Sequence, residues 1–182
     1  ISTGGPNALT EIIPQLPGDL RVPVLLVQHM PASFTAALAL ALDSRSAIRV
    51  VEGQHAQLVA PATVYIAPGG KQMKAVSIGS KVQLVLTDDP PENHCRPSVD
   101  YLMRSVADTY GAAGLGVIMT GMGADGKLGV QQMKEKGSKI LAQDEETSVV
   151  FGMPMEAIKT GVVDLVLPLG SIAGQIARLV GS

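Results

Sequence analysis

Three short segments of the 182-residue chain carry side chains that could perform acyl transfer together. Ser2 precedes an apolar helical pattern, His29 follows the apolar run 22–27, and Asp125 lies in the glycine-rich segment 120–126. A serine hydroxyl becomes a useful nucleophile when a base removes its proton, and a carboxylate can hold the imidazole base in the productive tautomer. The three residues therefore predict the catalytic triad of a serine hydrolase.

Each of these residues also has a simpler explanation when it is considered alone. Ser2 could cap the helix that follows it, and Asp125 could cap a helix predicted at 127–136. His29 could merely satisfy backbone groups of its loop. The chain order Ser…His…Asp also differs from the Ser…Asp…His order of α/β-hydrolases. It is the combination of the three segments that favours catalysis.

The elements that must position these residues alternate between short aliphatic strands and helical stretches. This alternation predicts a doubly wound α/β domain with a mostly parallel sheet, helices on both faces and one antiparallel hairpin. The predicted parallel strands are 22–27, 48–51, 63–67, 115–119, 140–142 and 165–167, and the hairpin strands are 72–78 and 82–86. The predicted helices follow Pro6 and cover 34–42, 97–110, 127–136, 154–160 and 172–180.

The turns after the strands are where such a fold places its functional site, because the carboxyl ends of parallel strands share one edge. The segments 2–5, 28–31 and 120–126 are therefore expected to converge there. Ser98 is a candidate N-cap of the helix at 97–110, and Gly137 a candidate end of the helix at 127–136. The polar, proline-rich segment 88–93 is expected to be an exposed loop.

Composition limits the classes of function that need to be considered. Apolar residues make up 46% of the chain and charged residues 16%, which is typical of one globular domain over 1–182. The net charge of −2 gives no reason to expect nucleic acid or an anionic membrane as a partner. No apolar run is long enough to span a bilayer. The single Cys95 excludes an internal disulfide and is compatible with a cytoplasmic location.

The other candidate residues give weaker signals. His55 is interpreted as a loop histidine, and Asp88 and Asp89 as part of a solvated turn. His94 and Cys95 are adjacent, but a structural zinc site needs four ligands, so no metal site is predicted. Arg96 could pair with a carboxylate of the substrate or form a surface salt bridge.

Several motifs, in the same order along the chain, resemble the chemotaxis methylesterase family, CheB. The resemblance covers nearly the whole chain. The motifs are Ser-Thr-Gly-Gly-Pro at 2–6, Gln-His-Met-Pro at 28–31, Arg-Pro-Ser-Val-Asp at 96–100, Met-Thr-Gly-Met-Gly-Ala-Asp-Gly at 119–126, Asp-Glu-Glu-Thr-Ser at 144–148 and Gly-Met-Pro at 152–154.

The resemblance implies hydrolysis of glutamyl methyl esters on the cytoplasmic helices of chemoreceptors, with release of methanol, and in some members deamidation of receptor glutamines. It implies that Ser2 is the nucleophile, His29 the base and Asp125 the orienting carboxylate. Met122 matches the position whose backbone N–H helps to stabilise the oxyanion. Thr3, next to the nucleophile, and Arg96 are weaker substrate-binding candidates. Neither a metal nor an organic cofactor is implied.

Two features of the family are not found in this sequence. Family members usually carry an N-terminal receiver domain that inhibits the esterase until it is phosphorylated, and they have a strand before the serine.

Two rival functions are also considered. One is a serine esterase or amidase that acts on small molecules. The other is a phosphate- or nucleotide-binding module that uses Gly4, Gly5 and the following helix N-terminus, although the usual glycine-rich motifs are incomplete there.

Overall fold

Strands and helices alternate along residues 1–181, which are the residues that this computed structural model describes. The strands are Val24–Leu26 (β1), Arg49–Glu52 (β2), Thr63–Ile66 (β3), Gln72–Ile78 (β4), Lys81–Thr87 (β5), Leu115–Ile118 (β6), Lys139–Gln143 (β7) and Leu165–Leu167 (β8). The α-helices are Gly5–Ile12 (α1), Ala32–Asp43 (α2), Val99–Tyr110 (α3), Lys127–Glu135 (α4), Met153–Lys159 (α5) and Leu169–Val180 (α6). Each predicted element is present, with boundaries shifted by a few residues.

The parallel strands form two three-stranded sheets, in the orders β1-β3-β2 and β6-β7-β8. The strands β4 and β5 pair antiparallel over their whole length, which confirms the predicted hairpin. The predicted α/β class with mostly parallel strands is therefore confirmed. The parallel strands form two separate sheets. The edge strand β1 of the first sheet does not pair with the edge strand β6 of the second.

An apolar cavity of about 290 Å³ lies between these two edges. Val24 and Leu26 of β1 line it from one side, and Leu115 and Val117 of β6 line it from the other. Ile1 lies at the same cavity, so the start of the described chain is placed between the two sheets. The cavity is thus bordered by two strand edges and by aliphatic side chains.

Two hydrophobic cores lie on opposite faces of the strands. Along β3 and the residue after it, Val64 and Ile66 are buried in one core, whereas Tyr65 and Ala67 are buried in the other. Successive side chains of a strand point to opposite faces, so this alternation requires apolar cover on both. The first core includes residues of α1, α2 and α6, and the second includes residues of α3, α4 and α5.

Local chemistry explains where several elements begin and end. The strand β1 is shorter than the predicted strand at 22–27, and Pro23, which lacks a backbone N–H, lies just before it. Ser98 is the N-cap of α3, as predicted, and its hydroxyl accepts a hydrogen bond from the Tyr101 N–H at 3.4 Å. Gly137, with a φ of 90°, follows the end of α4, as predicted.

Candidate active site

The backbone at Ile1 and Ser2 lies between the carboxyl ends of β1 and β6. Ile1 donates to the carbonyl of Val27 at 3.2 Å and accepts from the His29 N–H at 3.1 Å. On the other side, the Ser2 N–H donates to the carbonyl of Thr120 at 2.9 Å. The serine is therefore held at the strand edge where His29 and the loop of Asp125 also begin, as the sequence predicts.

His29 and Asp125 form a direct hydrogen bond. Nε2 of His29 lies 2.7 Å from Oδ2 of Asp125, and the two side chains are 14% and 2% exposed. A carboxylate can only accept, so Nε2 carries the proton and Nδ1 is the unprotonated nitrogen. The structure thus brings together two of the three predicted triad residues in the orientation that a general base needs.

Asp125 accepts hydrogen bonds from several donors besides His29. The backbone N–H groups of Val99 and Asp100 donate at 2.7 and 3.1 Å, and the hydroxyl of Ser98 and the amide of Asn93 donate at 2.8 and 2.9 Å. The first N–H groups of a helix favour a negative charge. Asp125 therefore stabilises the N-terminus of α3. It does not cap α4, whose N-cap Gly126 has no side-chain hydrogen bond.

The pKa of Asp125 follows from these contacts. Burial alone raises this pKa, but the hydrogen bonds from His29, Val99, Asp100 and Ser98 outweigh that effect and lower it to about 2. The carboxylate is consequently charged at neutral pH, and it can stabilise a positive imidazolium when His29 takes up a proton.

Gln28 is a positioning residue that the sequence did not reveal. Its side chain is 2% exposed, and its Nε2 donates to the carbonyls of Ser2 and His29, both at 3.0 Å. One amide group therefore ties the segment that carries the serine to the segment that carries the imidazole. The partners are backbone atoms, and Ser2 is 26 positions away in the sequence. No residue-type pattern could have indicated this contact.

The Ser2 hydroxyl is the least constrained part of the predicted triad. Within residues 1–181 it makes no hydrogen bond. The partner of Nδ1 of His29 is instead the thiol of Cys95, at 3.7 Å. In enzymes without substrate, catalytic hydrogen bonds are often long and tighten only in the complex. The structure places Ser2 by its backbone and leaves its hydroxyl free to turn.

Cys95 is a second potential nucleophile beside the same imidazole. Burial and the negative charge of Asp125 raise the pKa of its thiol. Reactive cysteines require the opposite, because the thiolate is the nucleophile and a positive environment favours it. The environment of Cys95 therefore disfavours its thiolate form, which argues against the thiol as the attacking group.

Two backbone N–H groups without partners among the described residues belong to segments that meet at Ser2. A Cβ atom added at Gly121 would lie only 2.8 Å from Cβ of Ser2, so the glycine permits this close approach. In the described part of the chain, the N–H groups of Thr3 and Met122 have no hydrogen-bond partner. Such free donors suit a developing oxyanion. The Met122 side chain itself is 71% exposed.

Thr3 and Arg96, the weaker candidates, occupy different places. Thr3 is exposed, and its carbonyl accepts from Oγ1 of Thr120 at 2.9 Å. Arg96 is exposed and donates to the carbonyl of Asp88 at 3.3 Å rather than forming an ion pair. It borders a cavity of about 430 Å³ that is also lined by His29 and Cys95. Arg96 can therefore reach a ligand that approaches His29 from this side.

One group of side chains could in principle hold a metal ion. Within residues 1–181, His29, Cys95 and Asp125 are the one set of three potential ligands whose donor atoms lie within 4.8 Å of one another. His55 is placed elsewhere, with its Nδ1 at 3.2 Å from the carbonyl of Leu86, in agreement with the interpretation of a loop residue. No helix among the described residues has the length and apolar character needed to cross a membrane.

The chain is similar to known proteins over nearly all of its length. Residues 1–176 match the family model described as CheB methylesterase. The chain is 50% identical over 182 residues to a protein-glutamate methylesterase/protein-glutamine glutaminase of Desulfotalea psychrophila, and 46% identical over 180 residues to one of Desulfitobacterium hafniense. These alignments cover 99% and 98% of the chain, but 50% and 46% of the relatives. The chain thus spans about half the length of the curated relatives it matches.

A solved structure is similar over almost its entire length. The crystal structure of the Thermotoga maritima CheB methylesterase catalytic domain matches with a TM-score of 0.96 and 42% sequence identity. The match covers 98% of this chain and 94% of that one. The similarity therefore extends over nearly the whole fold.

Proposed function

The chain belongs to the CheB methylesterase family, and from that premise we propose that it hydrolyses the methyl esters of glutamate side chains in chemoreceptors, releasing methanol. We propose the same site for hydrolysis of glutamine side-chain amides, since the relatives are named for both activities. The observation that carries the proposal is the 2.7 Å hydrogen bond between His29 and Asp125, which leaves Nδ1 as a base in the site that holds Ser2.

In the proposed mechanism, the Ser2 hydroxyl rotates toward Nδ1 of His29, which accepts its proton as the oxygen attacks the ester carbonyl. Asp125 stabilises the resulting imidazolium through Nε2. The N–H groups of Thr3 and Met122 donate to the tetrahedral oxyanion. His29 then gives the proton to the departing methoxide oxygen, which leaves as methanol, and water attacks the acyl-serine in a second, equivalent cycle.

A protein substrate fits the surroundings of Ser2 better than a small molecule does. Met122 and Val149 are 71% and 67% exposed, and the side chain of Val149 packs against the turn at Gly4. Exposed apolar side chains around a reactive group suit an extended protein partner. The apolar cavity between β1 and β6 has none of the triad residues in its lining. A cytoplasmic receptor helix is therefore the proposed substrate, and the cytoplasm the proposed location.

A receiver domain is the second proposed partner. The proposal rests on the family resemblance and on the fact that the chain spans about half of its curated relatives. In this proposal residues 1–182 form the catalytic domain. The exposed apolar surface near Ser2 is the place where a regulatory domain could block the approach of a receptor helix.

The test is methanol release from membranes that contain methylated chemoreceptor, with Ser2→Ala and Cys95→Ser as matched variants. We expect the chain to release methanol, Ser2→Ala to lose at least about 10³-fold in rate, and Cys95→Ser to retain nearly full activity. Loss of activity in Cys95→Ser with retention in Ser2→Ala would instead identify the thiol as the nucleophile. Hydrolysis of small esters, together with no methanol release from the receptor, would favour the small-molecule esterase.

A further inference from the structure

The contact between His29 and Cys95 supports a use of the site that ester hydrolysis does not require. Sγ of Cys95 lies 3.7 Å from Nδ1 of His29. The two residues are 66 positions apart in the sequence, and both line the cavity of about 430 Å³. A histidine nitrogen and a cysteine sulfur are the two donor types that zinc prefers.

The distance between these atoms suits a shared metal ion. Zinc binds a histidine nitrogen at about 2.0–2.1 Å and a cysteine sulfur at about 2.3 Å, so a tetrahedral angle places the two ligand atoms about 3.6 Å apart. The observed 3.7 Å is close to this value. A metal ion could therefore bind between them with little movement of either side chain.

The other side of the imidazole is also arranged as in metal sites. A metal-bound histidine usually donates its second N–H to a carboxylate, which fixes the tautomer and the ring orientation. Asp125 accepts from Nε2 of His29 at 2.7 Å and leaves Nδ1 directed at Cys95. The carboxylate that would prepare His29 as a base would equally prepare it as a ligand.

We propose that Nδ1 of His29 and Sγ of Cys95 together bind a thiophilic divalent cation, represented by Zn²⁺, and that this binding inhibits the enzyme reversibly. The cation replaces the thiol proton, which passes to solvent, and it uses the lone pair that would accept the proton of Ser2. Water completes the coordination, so the affinity is lower than that of a structural four-ligand zinc site. The inhibition rests on the proposed function, whereas the binding does not.

Binding is tested without any substrate. We expect titration with Co²⁺ to give a thiolate-to-metal absorption band that Zn²⁺ abolishes, and calorimetry to give one Zn²⁺ per chain. Cys95→Ser and His29→Gln should each weaken binding by more than about tenfold, and Asp125→Asn by about 10–100-fold. Circular dichroism of each variant, compared with that of the parent, identifies losses that come from unfolding.

His94 provides the matched control, because it is exposed and directly precedes Cys95 but is not part of the cluster. His94→Gln should bind zinc like the parent chain. Loss of binding in His94→Gln together with full binding in His29→Gln would overturn the proposal, because the metal would then use the neighbouring histidine. Equal zinc binding by Cys95→Ser and the parent would overturn it as well.

Inhibition is tested on the methylesterase reaction with the same proteins. We expect Zn²⁺ to stop methanol release by the parent chain, a chelator to restore it, and Cys95→Ser to stay active in the same zinc concentration. An active enzyme that neither binds zinc nor responds to it would overturn the inference alone. Specific zinc binding by a protein that releases no methanol would overturn the proposed function and support the metal site.

Discussion

The side-chain amide of Gln28 fills the space that a Cβ atom at Gly5 would occupy. An ideal Cβ built at Gly5 would overlap Oε1 of Gln28, while Nε2 of the same amide holds the carbonyls of Ser2 and His29. Oε1 has no hydrogen-bond partner among the described residues. The second glycine of the turn is thus required by packing against Gln28, in addition to the tight turn that the sequence suggests.

Gly5→Ala is expected to displace Gln28 and with it the alignment of Ser2 and His29. Overpacking of this kind costs about 1–3 kcal/mol of unfolding free energy, and activity should fall further than stability does. Gly174→Ala is the control, because nothing lies within 4 Å of a Cβ atom there and alanine favours the helix α6. Urea denaturation and methanol release measure both effects. Equal activity in the two variants would contradict the role of this packing.

Replacement of Gln28 tests the amide contacts themselves. Gln28→Met keeps a side chain of similar length but removes both donated hydrogen bonds, which leaves the partly buried His29 carbonyl without this partner. We expect a loss of about 1–3 kcal/mol of stability and a fall in kcat with little change in KM. Gln15→Met removes an exposed amide contact with the Glu11 carbonyl and should leave both quantities nearly unchanged. A rise in KM at constant kcat would argue against a positioning role.

The stability of the fold should depend on pH through Asp125. Its pKa is lowered from 3.8 to about 2 in the folded chain, so its contribution is complete above about pH 4 and is lost as pH falls toward 2. The contribution amounts to about 2 kcal/mol. In Asp125→Asn the unfolding free energy should be lower at pH 6 and should fall less between pH 4 and pH 2.

The exposed Asp19 supplies the control for this comparison. Asp19→Asn should keep the steep acid dependence of the parent chain, since no hydrogen bond to its carboxylate is present among the described residues. Asp100 has a pKa raised by burial and, to a smaller extent, by the negative charge of Asp125, so it acts in the opposite direction, and this opposing effect is smaller in Asp125→Asn. Equal pH dependence of Asp125→Asn and Asp19→Asn would contradict the contribution assigned to Asp125.

The cavity between β1 and β6 gives a further prediction. Ile1 already makes the backbone contacts of a parallel strand with Val27 and His29. A chain extended upstream of Ile1 by a few apolar, β-branched residues should place a strand in the cavity. Each fully buried side chain of this type adds about 1.5–3 kcal/mol. An extension of the same length made of glycine and serine is the control. Equal melting temperatures of the two proteins would rule out strand insertion.

Periodicity and turn chemistry were sufficient to predict nearly all of the elements. The alternation of apolar runs and helical patterns located β3, β6 and β8 to within a residue, because strands of parallel sheets are often continuous apolar runs. The division into two sheets was not predictable, since sheet order depends on long-range pairing. The first and last residues of β1 depend on which backbone N–H and C=O groups pair with β3. Residue types do not show this pairing.

The meeting of the candidate segments at one sheet edge could be predicted in part. Ser2, His29 and Asp125 could be proposed as site residues because each has a reactive side chain and follows a strand or begins a helix. Asn93, interpreted as part of a plain exposed loop, donates to both Asp100 and Asp125 at 2.8 and 2.9 Å. Cys95 meets His29 only through the fold. These contacts join distant segments and leave no spacing signal in the sequence.

Because Ile1 and Ser2 lie between the ends of β1 and β6, the candidate site is at the boundary between the two parallel sheets. His29 extends from one of them and Asp125 from the other, so the hydrogen bond between them closes only when both are in register. A force or a binding partner that moved the two sheets apart would disable the site without unfolding either sheet. Under the proposed function, the rate of ester hydrolysis would then depend on how firmly the two sheets are held together.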